Sequence, residues 1–412
     1  MRVARVETAE QVRALVPPAR SAEDDVRPIL DAVRERGDAA VRELTERFDP
    51  AGLAPERLRV PAPEIAAAVG VVEPALLDAM RVAIANVRAV AEAQLRDETV
   101  VELPAGQRVA VAELPVRRAA AYVPGGRAPY PSTVIMCAVT AWAAGVDELA
   151  VCAPPGPEGR AHPAILAACA LCGVTEVYRM GGAQAIAALA FGTESVPPVD
   201  VIAGPGNAYV QEAKRQLAGV VGIDGIAGPS ELVVVASSGT DPELAALDLL
   251  AQAEHGPDSL VACISPEPDL LAAVADACAS PGPTVTDAPL ALVQVPDTRA
   301  GVRLADEIAP EHLELVGEEA EALAGSVRAA GCLFVGRDAA TAFGDYVAGS
   351  NHVLPTGGAA RFASALSPAT FRRRMTRVTL APGAAERLAP AGAALARAEG
   401  FLVHGESMER RA

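Results

Sequence analysis

The sequence predicts an α/β protein of two Rossmann-like parallel-sheet domains, one inserted in the other, with small helical extensions at the N- and C-termini. Three observations carry this reading. Between residues 122 and 231 short apolar strands alternate with alanine-rich helices through tight turns, the order of a parallel sheet covered by helices. A second run of the same grammar follows from residue 232. The chain has 412 residues, 51% of them apolar, more than a single core usually serves. The expected boundaries are 1–22 for an N-terminal helical extension, 23–121 with 232–365 for one α/β domain, 122–231 for the inserted domain and 366–412 for a C-terminal arm.

Each element follows from a local signal. The first 50 residues read as two helices. The second, over 24–48, has Val26, Ile29, Leu30, Val33, Val41 and Leu44 close to helical spacing. Residues 75–98 repeat that pattern, and 98–114 alternate around a Pro-Ala-Gly turn as a hairpin does. From Tyr122 the inserted run begins with a strand, a glycine turn and a helix that Ser132 is expected to cap. Gly125-Gly126, Gly181-Gly182 and Gly204-Pro205-Gly206-Asn207 each lead from a strand into a helix. Glycine there lets backbone approach a phosphate at a helix N-terminus, or simply makes the turn. Beyond 231, strands SELVVVASS, SLVACIS, ALVQVP and GCLFVGR alternate with helices over 241–253, 268–279 and 302–310. An arginine-rich stretch from Phe371, a strand RVTLAP and an alanine-rich helix ending near Gly400 close the chain.

Composition excludes several classes of function. The net charge is −17 and aromatics are 3%. Neither suits generic nucleic-acid or anionic-membrane binding, nor a stacking platform for single strands. Lys214 is the only lysine among 35 basic residues. The charged N-terminus lacks a signal-like apolar segment, and the apolar run 134–146 is too short to span a bilayer. A soluble, cytoplasmic protein without membrane or nucleic-acid partners is expected. Seven cysteines are an odd number. The lone Cys169/Cys172 pair sits in a helical pattern without a second pair, so buried thiols are the expectation.

The histidines carry the chemistry. There are five, His162, His255, His312, His352 and His404, and four of them follow residue 250. Carboxylates or carboxamides lie close by: Gln252 and Glu254 before His255, Glu311 before His312, and Glu399 before His404. His352 follows Asp345 by seven residues in a glycine-rich, loop-like stretch, 343–358. Imidazole with carboxylate is the composition of a catalytic zinc site and equally of acid/base chemistry near neutral pH. Gln252 and His255 share a face at the end of a helix. Glu311 and His312 are read as helix neighbours about 100° apart, suited to two different roles. No compact zinc motif is present, and spacing alone leaves both readings open.

At these residues the sequence resembles a known family. Ile223-Asp224-Gly225-Ile226-Ala227-Gly228-Pro229-Ser230-Glu231 through Gln252-Ala253-Glu254-His255 is similar to the signature of the L-histidinol dehydrogenases. So are Tyr122-Val123-Pro124-Gly125-Gly126, Gly204-Pro205-Gly206-Asn207, Ala309-Pro310-Glu311-His312 and Gly349-Ser350-Asn351-His352-Val353-Leu354-Pro355. The resemblance runs from about Val26 to Glu406, and the stretch from Ile223 to His255 is its most specific part. It implies oxidation of L-histidinol through L-histidinal to L-histidine, the last steps of histidine biosynthesis, with NAD and one zinc ion per subunit. It implies Gln252, His255, Asp345 and His404 as zinc ligands and Glu311 and His312 as the acid/base pair. It implies that Ser230, His352 and Glu399 contact substrate together with the ligand residues and His312, and that Tyr122, Gln184 and Asn207 contact NAD. It further implies a homodimer in which Glu399 and His404 complete the partner's site. The glycine-rich turns and the Glu311-His312 pair stand against two other readings, a zinc hydrolase and a non-catalytic binding protein. A relative on the same scaffold that oxidises another small alcohol is the closer alternative. His162 matches no site of the family and is expected to be structural.

Overall fold

The computed structural model describes residues 1–16, 21–48, 55–125, 128–156, 158–279 and 287–412. Gly126 of the first glycine pair therefore lies outside the described residues.

Two parallel sheets organise the chain. The first has five strands in the order Glu176–Arg179, Glu148–Ala153, Arg118–Tyr122, Val201–Ala203 and Gly222–Ile223. Its strands are buried on both faces, which is why they read as apolar runs rather than alternating ones. Ala119 and Ala121 face one layer, with helices Pro74–Ala93, Pro131–Ala144 and Pro163–Leu171. Ala120 and Tyr122 face the other, with helices Glu23–Arg36, Asp38–Phe48, Gly182–Phe191 and Ala208–Leu217. The period-two alternation of a strand thus distributes a run of small residues between two cores.

The second sheet has six strands in the order Arg2–Arg5, Pro289–Gln294, Leu260–Ser265, Glu231–Ala236, His312–Val316 and Cys332–Val335. Val233 and Val235 pack toward the helices Ala9–Ala14 and Thr298–Ile308. Leu232 and Val234 pack toward Pro242–Ala253 and Pro268–Ala279. A third, antiparallel sheet pairs Thr99–Glu102 with Gln107–Pro115, and Gln107–Pro115 with Arg372–Leu380. The C-terminal arm is thereby anchored to its own chain before the helices Ala384–Ala398 and Leu402–Glu409.

Several expectations change. The first residues are no helical extension: Arg2–Arg5 is an edge strand of the six-stranded sheet, and Val12 of the helix Ala9–Ala14 is buried in its core. The helices Glu23–Arg36, Asp38–Phe48, Ala62–Ala68 and Pro74–Ala93 were expected with the six-stranded sheet but pack on the five-stranded one, because their apolar stripes meet Ala120, Tyr122, Val134 and Ile186. Arg118–Tyr122 is the central strand of that sheet, so the inserted unit begins before residue 122. The single helix over 24–48 breaks at Gly37, whose φ is +53°. A Cβ there would also collide with the Glu194 carboxylate. The helix of the first glycine turn starts at Pro131 with Tyr130 at its cap position, so Ser132 lies inside it. Finally, His312–Val316 is a strand where the sequence reading has none. A glutamate at the centre of five residues hides its apolar character.

Candidate active site

Glu311 and His312 stand at the amino end of the central strands, not on a helix. His312 is the first residue of its strand and pairs in register with Leu232 and Cys332. Strand geometry alone would send neighbouring side chains apart. Here Glu311 lies just before the strand and turns back, so its Oε2 is 3.7 Å from His312 Nδ1.

A residue without an assigned role in the sequence reading, Glu231, holds this pair. The backbone N–H of Glu231 donates to Glu311 Oε2 at 2.8 Å, and the N–H of Glu311 donates to Glu231 Oε2 at 3.2 Å. The Glu231 carboxylate also accepts from Gly357 N–H at 2.9 Å and from both terminal nitrogens of Arg13. Arg13 donates further to the carbonyls of Ile308 and Ala309, at the end of the helix that leads into Glu311. Glu231 is thus a fully bonded buried carboxylate, and the two carboxylates are kept on separate donors. The signal available in the sequence was a charged residue opening an otherwise apolar strand.

His312 has a defined polarity. Its Nδ1 lies 3.1 Å from the carbonyl oxygen of Glu231. A carbonyl only accepts, so Nδ1 carries a proton, and Nε2 is the nitrogen that gains or loses one as the ring titrates. Nε2 is buried without a hydrogen bond and sits 3.4 Å from Asp345 Oδ1. Burial disfavours a charge on His312, but the adjacent Glu311 and then Asp345 outweigh it and raise its pKa. Burial likewise raises Asp345, and His312, His352 and His255 together pull it below the ordinary carboxylate value. For Glu311 burial dominates, and its carboxyl is pushed up to about 7.

The structure brings Glu311, His312, Asp345 and His352 to one place, with His255 near enough to act on the Asp345 charge. Asp345 lies in a short helix, Thr341–Tyr346, rather than in a loop. Its backbone carbonyl accepts from His352 Nδ1 at 2.8 Å, while His352 Nε2 lies 3.2 Å from Thr133 Oγ1. Thr133 belongs to the first turn of Pro131–Ala144 on the other sheet, so His352 stitches the two sheets together across the site. Gln252 is buried at the end of its helix with an unpartnered side-chain nitrogen, and His255 follows it at the surface. Ser230 immediately precedes the strand Glu231–Ala236. His404 and Glu399 are exposed on the C-terminal helices, and His404 packs on Phe401 at 5.2 Å. Among the described residues no group of three or more His, Cys, Asp and Glu side chains is assembled to hold a metal ion. The expected ligand set is therefore not collected within one chain.

Tyr122, Gln184 and Asn207 sit at the carboxyl edge of the five-stranded sheet, where open parallel sheets bind ligands. Tyr122 ends its strand, and its hydroxyl accepts from Gly182 N–H at 3.1 Å. Gln184 is buried, with an unpartnered side-chain nitrogen. Asn207 caps Ala208–Leu217 by accepting from Tyr209 and Val210 N–H, both at 3.1 Å, which leaves its amide nitrogen available. The six-stranded sheet behaves differently: its cluster gathers at the amino ends of its strands and faces the other sheet.

The remaining expectations are simple to place. His162 caps Pro163–Leu171 by accepting from Ala164 N–H at 3.2 Å. Cys169 and Cys172 are free, buried thiols, and burial pushes Cys172 up to about 12. Among the described residues no helix is long and apolar enough to cross a membrane.

Comparison with known proteins adds an independent line. The sequence profile of the family described as Histidinol dehydrogenase matches residues 17–412. A histidinol dehydrogenase of Synechococcus sp. is 44% identical over 398 residues, covering 94% of this chain and 92% of its own. One from Gluconobacter oxydans is 44% identical over 401 residues, covering 95% and 93%. The crystal structure of histidinol dehydrogenase from Elizabethkingia anophelis superposes with a TM-score of 0.92 at 31% identity, covering 100% of this chain and 98% of that one.

Proposed function

Because the chain belongs to the histidinol dehydrogenase family, a family of oxidoreductases, we propose that it oxidises L-histidinol through L-histidinal to L-histidine. The observation that carries the mechanism is the state of His312. Its Nδ1 is committed to the Glu231 carbonyl, and its Nε2, which has no hydrogen bond, lies beside Asp345. A neutral imidazole so oriented takes the hydroxyl proton of the alcohol as the carbon–hydrogen bond gives up hydride. Bound NAD supplies the hydride acceptor in both oxidations.

The second oxidation starts from the hydrated aldehyde. Glu311, with a pKa near 7 and 3.7 Å from the His312 ring, takes a proton from the water that adds to the carbonyl, while His312 returns the proton it gained to the carbonyl oxygen and is neutral again. His312 then removes the hydroxyl proton of the hydrate as the second hydride leaves. The product is the carboxylate, with two NADH formed per substrate.

The donors fit a zinc ion. Gln252 would offer the oxygen of its buried amide, His255 an imidazole and Asp345 a carboxylate held below the ordinary value by the histidines. The partner subunit's His404 would complete the set in a homodimer. Zinc there would orient the substrate through its imidazole and amine nitrogens. Ser230 and His352 line the substrate's place, and Glu399 from the partner receives the imidazole's outer nitrogen–hydrogen. Tyr122, Gln184 and Asn207 hold the dinucleotide.

NADH formed per L-histidinol consumed, run to completion with excess NAD and zinc, tests the proposal. Two per substrate is expected. One would remove Glu311 from its role, and none from a folded, zinc-loaded protein would overturn the substrate assignment.

A further inference from the structure

We propose that the buried pair Lys214 and Asp224, with Gln211, forms a clip that positions the Gly204–Asn207 turn for the dinucleotide and locks it to the segment carrying Ser230 and Glu231. The inference rests on the reading that this turn holds NAD. Lys214 is the only lysine of the chain, and its side chain is 1% exposed. Its ammonium donates to Gly204 O at 2.5 Å and to Asp224 Oδ1 at 2.6 Å. The other oxygen, Asp224 Oδ2, accepts from Gly204 N–H at 2.7 Å. Both backbone polar groups of Gly204 are therefore held by one ion pair.

The geometry leaves Gly204 no alternative. Its φ is +124°, and a Cβ would run into the carbonyl of Tyr122. One turn earlier on the same buried helix face, Gln211 repeats the device. Its Nε2 donates to Gly206 O at 3.3 Å, and its Oε1 accepts from Ala227 N–H at 2.9 Å. Gln211 and Lys214 thus fasten Gly204 and Gly206 on one side and Asp224 and Ala227 on the other. The second strip runs three residues on to Ser230. A compact ammonium with rotatable donors serves both a carbonyl and a carboxylate in this space.

Lys214 and Gln211 are positioning residues: they touch the turn, not the reaction. Gln211→Met and Lys214→Arg are the test, with Lys214→Met/Asp224→Asn as a third variant that removes the ion pair without leaving a buried charge unpaired. KM for NAD and kcat per zinc-loaded site are measured, with direct titration of NAD by its effect on protein fluorescence and circular dichroism for the fold. The expected result is a rise of about tenfold or more in both KM and Kd for NAD, with KM for L-histidinol changed much less. Folded variants with the wild-type KM and Kd for NAD overturn the clip. So does a loss confined to thermal stability and the active fraction. If the wild-type protein fails to bind NAD at all, the dinucleotide reading itself falls. If Lys214→Arg alone fails to fold, Gln211→Met still decides the question.

Discussion

Glu311 and His312 are adjacent in sequence but held by different means. The ring is oriented by one carbonyl, the carboxyl by one backbone N–H. Glu311 has its pKa raised to about 7 by burial, so it ionises as the pH rises through neutrality. A base must be ionised to take a proton, so the aldehyde half-reaction is expected to gain rate with pH across that range. Glu311→Gln should lose this limb and slow aldehyde oxidation about 100-fold, with less effect on alcohol oxidation. Separate rates from L-histidinol and L-histidinal across pH check it, and equal losses in both refute the division of labour. Arg13 is the second residue-scale case. Arg13→Met removes the partner of a buried carboxylate, for which about 3 kcal/mol of stability is the expected loss; urea unfolding measures it. Residue types such as Glu311 and His312 were legible in the sequence. The roles of Arg13 and Glu231 were not, because 218 positions separate the two and only the fold joins them.

At the scale of elements, the strand His312–Val316 faces the helix Pro242–Ala253 through a pair of acids. Glu314 is 1% exposed, and burial, then the neighbouring Asp248, raises its pKa. Burial also raises Asp248. A carboxyl raised in the folded state contributes its stability at low pH. That contribution is lost as the pH climbs from the ordinary carboxylate range toward the raised value. Glu314→Gln is therefore expected to raise the Tm at pH 8 and to leave it nearly unchanged at pH 4. A variant with a constant Tm difference across that range would exclude the pair as the cause. This strand is also where the reading of elements failed. HLELV contains two polar residues in five, and the buried glutamate is tolerable only because a helix and a second acid cover it. Strands such as RAAAY and ELVVVA were legible because burial on both faces demands small or apolar side chains throughout.

The whole molecule sets one sheet's carboxyl edge against the other's amino edge, with His352 bonded across to Thr133. Each sheet has its own cores, so if zinc serves as proposed, its chelation is expected to abolish turnover while leaving far-ultraviolet circular dichroism unchanged. Asp345→Ala should lose bound zinc, and a full zinc content in that purified variant would refute its assignment as a ligand. The exposed positions of Glu399 and His404 make the proposed dimer testable by complementation. Mixing the inactive variants His312→Ala and His404→Ala should restore part of the activity in mixed dimers. No recovery, with subunit exchange verified, would mean that each site is built from one chain.

The sequence by itself determined the α/β class, the serial parallel sheets, the resemblance to the histidinol dehydrogenases and the residue types of the site. These are local or linear properties: burial, period and motif spacing act over a few residues at a time. Tertiary structure alone decided the rest. It moved the helices between Glu23 and Ala93 onto the five-stranded sheet and made Arg2–Arg5 a strand. It also chose the protonated nitrogen of His312 and tied Gly204 to Lys214 and Asp224. Each of these depends on which partners the fold brings together, within about 3 Å for a hydrogen bond and about 4 Å for apolar packing, and chain separation carries no record of it.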